Sequence, residues 1–232
     1  MSGTAQVVIV AIAAVVVFLI ALAVVQALRA RARLREFLTH NAFMPCREEA
    51  QELAQAVTGL TRSKDLTCWV KKPYKTLWNN HPIYYFTLAQ KWTHSHTNEA
   101  QAFLIPFQSG VEQTVALYLR PSSIPVSPLV NLLITMVLDS ADALQLEGLH
   151  KLEVSPETAD LGVLAAYSEQ PGALEDLLDP ATRDRLVQAG DMGFFAIHCT
   201  GGRALLCELH GSRLTSISHH DRWQYIKTLV EH

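Results

Sequence analysis

The chain has 232 residues, of which 49% are hydrophobic and 18% charged, with a formal net charge of −3. That content is too apolar for a disordered chain, and four cysteines are too few for a disulfide-stapled scaffold. All 22 acidic residues lie at or after Glu36 against 15 of the 19 basic ones, leaving the body at −7, which excludes nucleic acid as a partner.

The first element is a run without charged or polar side chains, Val7 to Val25, VVIVAIAAVVVFLIALAVV, which Ala27 and Leu28 extend. At about 1.5 Å per residue it matches the roughly 30 Å hydrocarbon core, so residues 7–28 are read as a transmembrane helix with the lipid bilayer as partner. Ala21-Leu22-Ala23 could pose as a signal cleavage site. However, MSGTAQ lacks a positive n-region and the apolar run exceeds that of secretory signals. Arg29, Arg31, Arg33 and Arg35 follow the run and none precedes it. The bias of positive residues then predicts a single-pass inner-membrane protein with its N-terminus outside and its C-terminal domain cytoplasmic. The organisation expected is an anchor at 1–28, a basic collar and helical connector at 29–60, and a globular domain at 61–232.

The collar helix should run through Leu34, Phe37 and Leu38 and break near Asn41 to Pro45. A second helix is expected from Pro45 to about Val57, with Glu48 and Glu49 at its positive end and Gly59 as its stop. The runs LTCWVKKPYKTLW and PIYYFTLAQKW are rich in aromatic and β-branched residues and flank Asn79-Asn80-His81-Pro82; they read as strands. AQAFLIPF and EQTVALYLRP follow closely, and such short spacing predicts an antiparallel meander. LVNLLITMVL, capped by Ser127 with Pro128 first, reads as a helix too short to span a bilayer; core, partner-docking and membrane-dipping roles all suit it. HKLEV and LGVLAAY read as strands, and LLDPATRDRLVQAG as a helix capped by Asp179 and stopped at Gly190. GFFAIHCTGGRALLCELHG reads as a hairpin with Gly201 and Gly202 supplying positive φ at its tip. SHHDRWQYIKTLVEH closes the chain as an amphipathic helix. The fold class predicted is α+β, an N-terminal transmembrane helix followed by an antiparallel β-sheet of meander and hairpins packed by helices.

With TVALYLRP, LLDPATRDRL and the glycine-tipped hairpin in place, the chain resembles a group of bacterial single-pass membrane-anchored α+β proteins from about Glu112 to Leu209. The resemblance implies the fold and no activity. The apolar segment Leu129 to Leu138 departs from it.

His94-Ser95-His96 is the best metal candidate, because alternate strand residues share a face, but it sits at a hairpin tip without a third ligand nearby. Outward counting from Gly201-Gly202 pairs Cys199 with Ala204, His198 with Leu205 and Ala196 with Cys207. Cys199 and Cys207 then point to opposite faces, as do His198 and His210, which excludes a disulfide or shared metal in that register. Neither a GxSxG elbow nor a phosphate-binding glycine loop occurs, so no catalytic residue and no cofactor is assigned. Lys71 and Lys72 are interleaved with Trp69 and Trp78. Cation plus indole suits a headgroup interface, so these four join the arginine collar as membrane-interface candidates.

The function this supports is a membrane-tethered cytoplasmic protein-interaction or scaffold module with a membrane or membrane-proximal protein partner. One alternative is a metal-dependent or hydrolytic enzyme assembled from distant histidines. Another is a lipid-surface sensor using the basic, tryptophan-bearing strands.

Overall fold

In the computed structural model, residues 3–62, 66–92, 97–108, 113–120, 148–208 and 217–231 are described. His94, His96, His210 and the apolar segment from Leu129 to Leu138 lie outside them, as does its Ser127 cap. The chain divides into two compact units, Met1–Phe43 and Met44–His232.

The first unit is one continuous helix, α1, Gly3–His40. It is long and apolar enough to cross a membrane. Val15 to Leu28 present exposed apolar side chains such as Val17 and Phe18, each 66% accessible. Arg29, Arg31, Arg33 and Arg35 extend the same helix without a break and are exposed. The helix closes where the sequence predicts. Ala42 turns left-handed at φ 53°, the Ala42 amide donates to Thr39 O (3.2 Å) and the Phe43 amide to Leu38 O (2.9 Å). This is a Schellman closure, and its usual apolar contact is supplied by Phe43 against Phe37, with ring centroids 5.5 Å apart.

The second unit opens with β1, Met44–Pro45, a 3₁₀ turn at Arg47–Glu49, and α2, Ala50–Thr61. Pro45 therefore pairs as an edge residue instead of starting the helix, and Gly59 lies inside α2 instead of ending it. The stop is Arg62, left-handed at φ 42°. Leu60 explains the overrun: burying it gains about 1.5–3 kcal/mol, more than the roughly 1 kcal/mol a helical glycine costs.

There follow β2 (Leu66–Trp78), β3 (His81–Trp92), β4 (Thr97–Pro106) and β5 (Val115–Leu119), then β6 (His150–Lys151), α3 (Pro156–Asp160) and β7 (Val163–Ser168). The chain continues with α4 (Leu174–Leu177), α5 (Pro180–Asp191), β8 (Phe194–Thr200), β9 (Arg203–Glu208) and α6 (His219–Val230). The strands form one nine-stranded sheet in the order β1-β2-β3-β4-β9-β8-β5-β7-β6, antiparallel at every pairing. The meander thus ends at β4. Instead of extending it, β5 pairs with β8 and β7, because the C-terminal hairpin inserts its β9 against β4.

The hairpin has the register counted from sequence, with Cys199 opposite Ala204, His198 opposite Leu205 and Ala196 opposite Cys207. Its tip differs. Among the described residues the glycines at positive φ are Gly148, Gly162, Gly172 and Gly193, whereas the Gly201-Gly202 tip is closed by the Gly202 amide donating to Thr200 O at 2.6 Å. The positive φ values predicted for a hairpin occur in the β2–β3 turn, at Asn79 (50°) and Asn80 (64°), as a two-residue turn of primed type needs.

Helices cover both faces of the sheet. On one face, Leu53, Val57 and Leu60 of α2 pack on Cys68, Phe86, Leu88, Ala102, Leu104 and Leu205. On the other, a chain of rings runs from Tyr85 through Phe103 and Phe194 to Tyr225 of α6, and the Tyr225 hydroxyl donates to Arg185 O of α5. The α5 cap is as expected, Asp179 accepting from the Thr182 amide with Pro180 first, but Gly190 does not stop the helix. It lies against the end of β5, where an added Cβ would meet Arg120 O at 3.0 Å, and Gly193 (φ 82°) makes the turn into β8. At the far edge, Ser155 caps α3, and the Ser155 hydroxyl first and then the Thr158 hydroxyl hold the Glu175 carboxyl at about 2, with the Ser155 amide also donating to it.

Three buried polar groups fix this packing. Arg222 on α6 and Glu208 on β9 form an ion pair (3.3 Å) with side chains 4% and 2% accessible, and Arg222 Nε donates to Met192 O. Replacing Arg222 with Ala is expected to lower stability by about 3–5 kcal/mol in urea titrations of the full chain in micelles, since it strands a buried carboxylate. The double change Arg222→Met/Glu208→Met should restore most of that loss. His198 lies beneath α2, its ring donating to the Leu60 carbonyl, and burial depresses its pKa from 6.5 to about 4. The native ring stays neutral while the unfolded one protonates, so stability falls as pH drops from about 6.5 to about 4. The loss should reach about 3 kcal/mol at the lower end. His198→Gln, which keeps a donor for Leu60, should flatten this part of the pH–stability curve.

Candidate functional site

The polar cluster that best combines geometry with access sits where α2 begins. The 3₁₀ turn places Glu49 at the α2 N-cap, on the helix's positive end, and the β2–β3 hairpin brings Lys75 opposite Tyr84. Lys75 Nζ donates to both carboxylate oxygens of Glu49 (3.0 and 3.2 Å), and the Tyr84 hydroxyl donates to Oε2 at 2.7 Å. The Lys75 ammonium also lies 5.3 Å from the Tyr84 ring centroid. The Tyr84 hydroxyl first, and then Lys75, hold the Glu49 carboxyl below the ordinary carboxylate range, while burial, reinforced by Glu49, pushes the Cys46 thiol up to about 11. Glu49 is therefore a fixed anion and Cys46 an unreactive thiol.

Beside this triad an open cleft of about 430 Å³, mouth included, runs between α2 and the strand ends. Leu53, Ala56, Pro82, Leu104 and Ile105 give it an apolar lining, Glu49 and Glu52 stand along the α2 rim, and Arg203 at the start of β9 lies on the opposite side. Glu52 and Arg203 are exposed, and neither side chain has a hydrogen-bond or ion-pair partner among the described residues. A rim of opposite charges over an apolar floor can bind and orient a ligand; it holds no nucleophile with an adjacent base.

The membrane-interface candidates lie in different settings. The four collar arginines belong to the first unit. Trp69 is 42% accessible, Lys71 pairs with Glu99 at 2.6 Å, and Lys72 is exposed in a bulge at φ 50°. Trp78 is taken into the fold. Its indole donates to Glu231 (3.2 Å), meets Trp223 edge-on at 6.3 Å and has the Lys227 ammonium 4.6 Å from its centroid. All four cysteines are free, and Cys199 and Cys207 lie on opposite faces of the hairpin, as counted. Among the described residues no three His, Cys, Asp or Glu side chains group as a metal site.

Sequence reading placed Glu49 at a helix start but missed its partners and the cleft. Lys75 and Tyr84 were within reach, because counting outward from Asn79-Asn80 pairs them. The approach of Arg203 to α2 was not, since it depends on β9 joining β4.

The chain matches no protein-family model and no curated protein. Among solved structures it is similar to the crystal structure of the mycobacterial trehalose monomycolate transport factor A, TtfA, at 12% identity, with a TM-score of 0.41 over 86% of this chain and 89% of that one.

Proposed function

We propose that the chain is a membrane-tethered interaction module, anchored in the inner membrane by α1, whose Met44–His232 unit lies on the cytoplasmic side and binds a membrane-proximal protein. The observation that carries this reading is α1 itself, a single helix in which an exposed apolar stretch passes without interruption into four exposed arginines. Apolar surface of that extent along one helix is stable in lipid and costly in water. The arginines set its direction through the bias of positive residues toward the cytoplasm, and their long stems let the guanidinium groups reach the phosphate layer. The surplus of acidic residues after Glu36 keeps the rest of the body soluble beside an anionic leaflet.

A lipid-surface role has one observation in its favour, the exposed indole of Trp69 near Lys72. The docking of Trp78 on α6 and the Lys71–Glu99 pair leave it less to work with.

Reporters fused after His232, one active only in the cytoplasm and one only outside it, test the orientation. Cytoplasmic signal is expected, with a marked shift toward the external reporter when all four collar arginines are replaced by glutamine. External signal from the unaltered chain would overturn the assignment.

A further inference from the structure

We infer that the cleft beside α2 is the docking site for a segment of the partner protein, one that presents an apolar side chain flanked by a basic and an acidic residue. The inference rests on the interaction-module reading and supplies its surface and the chemistry of its partner.

Three features define the occupant. The accessible apolar surface comes from Ala56 of α2 and Pro82 of β3, over a floor of Leu53, Leu104 and Ile105 that is itself nearly buried, so the cleft takes one small apolar side chain. The α2 rim is acidic. Lys75 and Tyr84 already engage the Glu49 carboxylate, but Glu52, one turn on and on the same helix side, leaves its charge directed at whatever enters. The remaining rim carries the cation Arg203. A concave wall with a net anion on one side and a cation on the other favours a ligand whose own charges are arranged in the opposite sense. A peptide segment supplies all three groups within a few residues. The pairs formed at the rim select the partner and its direction, while the apolar contact fixes how deeply it seats.

The rim residues are exposed, so both can be reversed without disturbing the core. The probe is a phage-displayed library of random dodecapeptides, panned against the full chain in nanodiscs with empty nanodiscs as the counter-selection. The unaltered chain should enrich peptides that carry Lys or Arg and Asp or Glu around an apolar residue. Glu52→Lys should remove the basic preference and keep the acidic one, and Arg203→Glu should do the converse. Each should weaken a selected peptide by about fivefold, the worth of one partly exposed charge pair. Ala56→Trp, which fills the cleft, should abolish binding of that peptide, with an unchanged thermal midpoint showing that the domain is intact. No motif above the empty-nanodisc background, or a motif that neither rim variant alters, would overturn the inference. Those results leave the anchor and its orientation standing, and an external reporter signal would sink the orientation without touching the cleft.

Discussion

The fold depends on one ladder, the pairing of β4 with β9 from Ala102 opposite Cys207 to Pro106 opposite Arg203. Without it the β1-to-β4 meander and the β9, β8, β5, β7 and β6 strands would be two sheets, each with a long open edge. With it they share one surface, α2 packs across strands from both groups, and Leu205 of β9 joins the same apolar cluster as Phe86 and Leu88 of β3. Glu208, at the other end of β9, receives Arg222 from α6 on the opposite side. The hairpin thus binds the sheet laterally and pins a helix to it. The cleft is a product of the same ladder, because Arg203 begins the strand that β4 accepts.

That dependence explains the division between what was legible in the chain and what was not. Local chemistry was readable. The apolar run and its arginines, the break after His40, the Asp179-Pro180 helix start and the hairpin register around Gly201-Gly202 all follow from residues close in sequence. The neighbours of β5 did not, because adjacency of strands far apart in the chain is settled by side-chain packing across the sheet and leaves no local mark. The two misplaced helix stops have the same origin. Gly59 and Gly190 look like terminators, yet Leu60 is drawn into the core, and Gly190 is needed where α5 presses on the carbonyl of Arg120. A glycine can serve as readily for close approach as for a left-handed turn, and only the packed partner distinguishes the two uses.

The candidate site divides along the same line. Glu49 could be placed at a helix start from its position after Pro45, and Lys75 and Tyr84 by counting along one hairpin. Trp78 shows the limit of reading composition alone. An indole in a lysine-rich strand suits a headgroup layer, yet the same ring serves here as a platform for Trp223, Lys227 and Glu231. Amphipathic side chains fit both environments, and composition alone does not show the contacts that Trp78 makes with the C-terminal helix.

The unbroken passage of α1 through its collar has a mechanical meaning. Beyond Leu28 the helix runs on for a further stretch to His40, about 18 Å along its axis, and closes there in its Schellman turn. A rod of that length is a lever arm. A tilt of about 20°, common for membrane helices, displaces its free end sideways by about 6 Å. In the proposed anchor, tilt responds to the match between apolar length and bilayer thickness, so the thickness of the surrounding lipid is converted into lateral movement of the helix end at His40.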